Sequence, residues 1–219
     1  MIDFKETSFL EIENDVSFFL QQYDSGYPLF LNHSVEIFYY RHLQGLLLES
    51  ASLFQINNDS LLPILIFLRY LLRSNLCFDL AFFKPIQLKQ SKLALMYGDL
   101  YLAKAGKSFQ AIPDYDLLGD ALIQTLKKIS SSQWLQPTKP VELSRFAEMN
   151  SLRYGSLFEL SFSIPFFLHH QASVINTEQK NRVSHLALYC TIMKNSSLFP
   201  CLLAKRVLLL NKLKKKINQ

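Results

Sequence analysis

Few residues in this chain have the type and spacing that chemistry demands, and the most unusual pair is Gly98-Asp99. It sits inside the run Leu88 to Phe109, where Leu88, Leu95, Leu102 and Phe109 recur every seven residues and Met96, Leu100 and Ala103 are placed on the same side. Glycine costs a helix about 1 kcal/mol against alanine, and a half-buried carboxylate needs a partner. The pair therefore marks either a close helix crossing with Asp99 turned outward or a site. A second candidate is Arg69 with Arg73, one helical turn apart in an apolar stretch that also holds Asp79. Two such arginines either extend to the rim of a helical bundle or hold a phosphate. His169-His170 could suggest a metal, but adjacent histidines on a helix face different ways and no third ligand is near in sequence. Cys77, Cys190 and Cys201 form no CxxC pair and lie in apolar runs, the pattern of buried free thiols in a reducing cytoplasm. No phosphate-cradling glycine loop, Ser-His-Asp order or nucleophile elbow is present.

The elements that must position these residues are helical. Phe9, Ile12, Val16, Phe19 and Leu20 give Ser8 to Gln22 an apolar face, and Asp24-Ser25-Gly26-Tyr27-Pro28 ends it by turn chemistry. A second helix is expected from Ser34 to about Phe54, and Asn57-Asn58-Asp59-Ser60 caps a third that runs through Leu80. That third helix is apolar nearly all round and should be central. The helix of Gly98-Asp99 follows, then one from Ile112-Pro113-Asp114 to about Ser130, with a polar and proline-bearing loop from Ser130 to Pro140. Val141 to His169 reads as one long segment that Pro165 must kink or end. Thr177 to Met193 is a further helix, and Leu198 to Ile217 the last.

The totals agree with an all-α class. With 219 residues, 49% of them hydrophobic, the chain can bury one large core, so a single helical domain over residues 1–219 is expected. Eighteen Phe and ten Tyr beside six Gly and eight Pro favour long helices over many short strands. The net charge of +5 is concentrated in Lys205, Arg206, Lys212, Lys214, Lys215 and Lys216, which argues against an extended nucleic-acid footprint. Acids near the N-terminus, Asp3 and Glu6, stand where a signal peptide would be basic. The strongest apolar run, Leu61 to Leu72, is interrupted by Pro63 and Arg69 and is too short for a bilayer, so a soluble protein is expected.

Four stretches resemble the isoprenyl diphosphate synthase family, in that family's order. Tyr40 to Phe54 looks like the apolar tail of the helix that carries "GKRLRPxLxLLxxxxxG", without its basic head. Ser74 to Phe83 stands where the first aspartate-rich motif, "DDxxD", belongs; it keeps Asp79 alone, with Phe78, Phe82 and Phe83 around it. Met96 to Ala105 is similar to the "LAGDxLLxxA" helix. Met149 to Leu160 matches the "KTxxLF" helix in its Gly-Ser-Leu-Phe portion, ending at Phe158, with Arg153 in place of the lysine and Tyr154 in place of the threonine. Thr191 to Pro200 holds no aspartate where the second motif is due, and Leu198 to Ala204 resembles the "TLPxxxAL" helix that follows it.

The resemblance implies an isoprenoid-synthase-like antiparallel helical bundle, truncated relative to a full-length synthase. Trans-prenyl transfer ionises an allylic diphosphate, and the family stabilises the leaving group with Mg²⁺ held between two carboxylate clusters, since hard cations need several oxygen ligands. One carboxylate on one side cannot assemble that site, so no catalytic residue and no metal is expected in this chain. The family contains a matching arrangement, in which a small subunit without aspartate motifs supports a catalytic subunit making hexaprenyl or heptaprenyl diphosphate for quinone side chains such as that of menaquinone. The expected partner is that catalytic subunit, which would hold the Mg²⁺. Phe78, Asp79, Phe82, Phe83, Tyr97, Gly98, Asp99, Tyr101, Arg153 and Phe158 are the residues the resemblance offers for tunnel, substrate or interface contacts, although an aromatic stripe at helical spacing is also what a plain core requires. An all-α interaction module without prenyl chemistry is the competing class. The C-terminal Leu202, Leu203, Leu209, Leu210 and Leu213 beside the basic residues suit either a helix on a membrane surface or a terminal helix with lysines matched to its dipole. The expected location is cytoplasmic, with that tail as the means of peripheral membrane contact.

Overall fold

The computed structural model describes residues 31–83, 88–134, 143–171 and 174–194. The helices expected at Ser8 to Gln22 and at Leu198 to Ile217, and Cys201, lie outside the described residues. Within them the regular elements are α1 (His33–Ser52), α2 (Asn58–Phe83), α3 (Leu88–Phe109), a 3₁₀ turn (Tyr115–Leu118), α4 (Gly119–Trp134), α5 (Leu143–Asn150), a π turn (Ser151–Gly155), α6 (Ser156–Leu168) and α7 (Thr177–Lys194). The protein is all-α among the described residues.

The caps show why the helices start where they do. The Asn32 side-chain oxygen accepts from the Ser34 N–H at 3.1 Å and the Val35 N–H at 3.3 Å, and that of Asn57 accepts from the Ser60 N–H at 2.9 Å; each satisfies donors that a helix start leaves open. Asn176 and Gln179 exchange bonds reciprocally, the Asn176 N–H to Gln179 Oε1 at 3.0 Å and the Gln179 N–H to Asn176 Oδ1 at 2.8 Å, a capping box that starts α7. At the other ends, Gln55 and His170 adopt left-handed φ values of 55° and 56° and turn the chain away from α1 and α6.

Two compact units form. One comprises the start of α1 through Tyr40 with Gln55–Tyr115; the other comprises Arg41–Phe54 with the elements from Asp116 onward. In the first unit α2 is the core, with Leu61, Ile64, Leu65, Phe67, Leu68 and Leu72 among its buried side chains, and α3 packs along it. Helix α2 is longer than its densest apolar run. Asp59–Ala81 is long and apolar enough to cross a membrane, with mean hydropathy 1.5, but 83% of that window is buried inside the protein, as in the central helix of a globular core.

The face that α3 buries differs from the expected one. Ala94, Gly98, Tyr101, Ala105 and Phe109 are buried, whereas Met96, Leu100 and Ala103 are exposed and Leu95 and Leu102 only half-buried. The small residues decide this, because they let α2 come close. A Cβ built on Gly98 would lie 2.6 Å from Cε1 of Phe78, and Ser74 Oγ donates to the Gly98 carbonyl at 2.8 Å. Asp99 points outward, so the close-crossing reading of the pair holds.

In the second unit, Ser161 Oγ of α6 donates to the Leu43 carbonyl of α1 at 2.7 Å, and Arg182 of α7 pairs with Glu49 at 2.7 Å. Helix α4 begins later than expected: Asp114 has a φ of 54°, so one 3₁₀ turn precedes Gly119. It also runs past Ser130 to Trp134. Ser131 Oγ bonds back to the Lys127 carbonyl and Ser132 Oγ to that of Ile129, so these serines satisfy themselves on the preceding turn instead of ending the helix. Pro165 lies inside α6, which ends three residues later at Leu168.

Candidate functional site

The densest polar chemistry in the described residues is buried in the first unit. Glu36, in the first turn of α1, is fully buried (0% exposed), and its Oε1 accepts from Arg69 Nε at 2.9 Å and from Arg73 Nε at 2.8 Å. The two arginines, one turn apart on α2, are 5% and 4% exposed. Aromatic faces complete the surroundings: Arg69 Cζ is 4.8 Å from the centre of the Tyr40 ring, and Arg73 Cζ is 5.4 Å from that of Tyr101, within range of cation–π attraction. Burial pushes the Glu36 carboxyl up, but Arg73 and Arg69, by charge and by hydrogen bond, outweigh it and hold the group below its ordinary value. Glu36 Oε2 accepts no hydrogen bond; His33 Nδ1 is 4.0 Å away.

The arrangement corrects both sequence readings of the arginine pair. The side chains neither reach the rim nor face solvent to hold a phosphate, because a carboxylate on α1 draws both into the core. Helix spacing exposed the pair; nothing in the spacing exposed Glu36, which lies 33 and 37 residues upstream. The usable signal was chemical: two cations on a helix apolar all round need an acid from elsewhere.

The second unit has a cleft of about 310 Å³ between α4, α6 and the start of α7. Leu160, Phe162 and Val183 form its buried apolar part, and the Lys128–Glu159 ion pair, 2.8 Å long and partly exposed, lies at its edge. The rim carries Asp120 and Lys180 as well, so the acids and bases balance.

No family model, curated protein or solved structure matches this chain.

The residues singled out in the sequence divide between the two units. In the first, Phe78 on α2 meets Gly98 on α3, with Asp79 half-buried beside it in sequence. Tyr97 is half-buried, its ring centre 6.2 Å from that of Tyr101, which is buried and lies 6.1 Å from Tyr70. Phe82 and Phe83 close α2. In the second unit, Arg153 is buried on the π turn, its Nε donating to Ser132 Oγ at 3.2 Å, and Phe158 is wholly buried. The turn itself is set by the Ser156 N–H, which donates five residues back to the Ser151 carbonyl. His169 stacks on Phe54 with ring centres 4.6 Å apart. Among the described residues no three His, Cys, Asp or Glu side chains gather to hold a metal ion. Burial pushes the Cys77 and Cys190 thiols up to about 12, so both are inert free thiols.

Proposed function

We propose that this chain is the non-catalytic subunit of a heteromeric long-chain trans-polyprenyl diphosphate synthase. The observation that carries the proposal is the order of the motif remnants: one aspartate, Asp79, on a helix, then Gly98-Asp99 on the next, then the Arg153 to Phe158 stretch, with no second aspartate-rich loop. Their all-helical setting supports it, as does the close crossing of α2 and α3 at Phe78 and Gly98. One carboxylate does not meet the ligand count of a hard cation, so the Mg²⁺ that would draw off diphosphate belongs to the partner, and no chemical step is assigned here. The role is structural: this chain packs against the catalytic subunit, orders its cleft and helps set how long the apolar product grows. It acts in the cytoplasm, with the basic C-terminal segment at the membrane surface where a polyprenyl product is delivered.

The test is reconstitution with a full-length synthase from the same cell that carries both aspartate-rich motifs. The two chains should co-purify, and long products should form only from the mixture. Robust prenyl transfer by this chain alone refutes the proposal. A mixture that neither binds nor alters product length leaves an all-α interaction module without prenyl chemistry.

A further inference from the structure

The cleft between α4, α6 and the start of α7 lies within the second unit, and three buried hydroxyl residues line it. Two of them are satisfied by the preceding turn: Ser156 Oγ donates to the Leu152 carbonyl at 2.6 Å, and Ser163 Oγ donates to the Glu159 carbonyl. The third is Thr125 of α4, 6% exposed, whose hydroxyl donates to no group among the described residues. A polar group that burial takes from water needs a partner, and the space beside Thr125 is the cleft.

The charges that line the cleft divide in the same way. Lys128 and Glu159 neutralise each other at 2.8 Å. Asp120, in the first turn of α4, and Lys180, the fourth residue of α7, make no ion pair among the described residues. Asp120 is eight residues from Lys128 on α4, about 12 Å along the axis at 1.5 Å per residue, and so stands apart from the Lys128–Glu159 pair. Helix α7 gains nothing from a cation near its start, because the N-terminal end of a helix disfavours positive charge. The cleft therefore offers one unpaired acid, one unpaired base and one unused buried donor over a floor of Leu160, Phe162 and Val183.

We propose that this cleft binds a free α-amino acid with a large apolar side chain. The ammonium group faces Asp120, the carboxylate takes Lys180 and the Thr125 hydroxyl, and the side chain lies on the apolar floor. Charge argues against the alternatives: a diphosphate would bring several negative charges toward Asp120 and Glu159, and a polyamine would bring positive charges toward Lys128 and Lys180, whereas a zwitterion meets one of each. Size agrees, since about 310 Å³ is near the lower end of the roughly 300–1,000 Å³ of ligand clefts. The inference does not depend on prenyl chemistry.

The experiment titrates the full chain with L-phenylalanine and L-leucine by calorimetry. At least one should bind, and glycine, 3-phenylpropionate and 2-phenylethylamine, which lack the side chain, the ammonium group and the carboxylate in turn, should each bind about tenfold or more weakly. Asp120→Asn should weaken L-phenylalanine by about tenfold or more and leave 3-phenylpropionate unchanged; Lys180→Met should weaken L-phenylalanine and leave 2-phenylethylamine unchanged. Thr125→Val should weaken L-phenylalanine as well, and Lys127→Met, an exposed charge on α4 outside the cleft, should not. Circular dichroism checks that each variant keeps its fold. L-phenylalanine and L-leucine binding no tighter than glycine overturns the proposal. So does a loss that Asp120→Asn or Lys180→Met imposes on every ligand alike, or on none.

Discussion

Replacing Glu36 by glutamine tests the account of the buried cluster most directly. The change keeps the side chain's size and one acceptor oxygen, but it leaves Arg69 and Arg73, 5% and 4% exposed, without the carboxylate whose Oε1 lies 2.9 and 2.8 Å from their Nε atoms. Removing one partner of a buried pair costs about 3–5 kcal/mol, a large part of a total stability of about 5–15 kcal/mol. At about 2–4 °C per kcal/mol for a chain of this size, Tm should fall by about 6–20 °C. Thermal and urea unfolding followed by circular dichroism read this directly. The pH dependence adds a signature. Glu36 is held below 4.5 in the folded state, so its contribution is complete above the unfolded value and disappears as pH falls through the folded one. The gap between wild type and Glu36→Gln should therefore be constant above pH 4.5 and narrow below it. Exchanging all three for apolar residues of similar volume, Glu36→Leu with Arg69→Met and Arg73→Leu, should cost far less than the single change, because no charge is left buried. A loss below about 1 kcal/mol for Glu36→Gln, or a gap indifferent to acid, would refute the reasoning.

Other outcomes follow from the packing. Gly98→Ala puts a methyl 2.6 Å from Phe78 Cε1; overpacking of about 1–3 kcal/mol set against about 1 kcal/mol of helix propensity leaves a net loss of about 0–2 kcal/mol. Gly98→Leu should lose about 3 kcal/mol or more, and pairing Gly98→Ala with Phe78→Ala should give a favourable coupling energy in a double-mutant cycle of unfolding free energies. Ser132→Ala removes the acceptor of Arg153 Nε inside the core and should cost about 1–3 kcal/mol in urea unfolding, whereas Ser131→Ala, on the exposed side of the same turn, should change stability by under about 0.5 kcal/mol. In a Cys201→Ser background, neither Cys77 nor Cys190 should react with a thiol reagent at pH 8 in the native protein, and both should react on unfolding.

The helices were legible in the sequence where local chemistry alone decides. Asn57, in the cluster read as a cap, caps α2 through its own side chain, and the bounds of α3, Leu88 and Phe109, match those of its apolar run. Helix α4 was legible only in part. Its serines are turn formers by composition, and the choice between loop and helix falls to Lys127 and Ile129 carbonyls one turn back, which composition does not contain. The face of α3 was misplaced for a related reason. Counting large apolar residues favours Met96 and Leu100, but the approach of two helices is set by where side chains are small, at Ala94, Gly98 and Ala105. The site-level partner of the arginines was hidden altogether, since an ion pair across more than thirty residues leaves no periodic trace.

The two features that sequence reading left unexplained have a common physical cause. Helix α2 is so uniformly apolar that hydrophobicity alone does not determine which way it rotates or how far it slides, since most of its faces would be content in a core. Packing against such a helix is degenerate unless something directional breaks the tie. Ser74 bonding to the carbonyl of Gly98 and the paired Nε bonds of Arg69 and Arg73 to Glu36 are directional, and they act on two neighbours of α2 within one unit, α3 and the start of α1. The polar residues thus select one register among several of similar burial. That selection also turns Leu93, Met96 and Leu100 outward on α3, because the helix cannot present both Gly98 and that row to α2. If the triple apolar replacement of Glu36, Arg69 and Arg73 kept its stability but gave broad, poorly dispersed amide signals in NMR, the polar cluster would be acting as the register device that this geometry describes; sharp signals at wild-type positions would leave α2 positioned by shape alone.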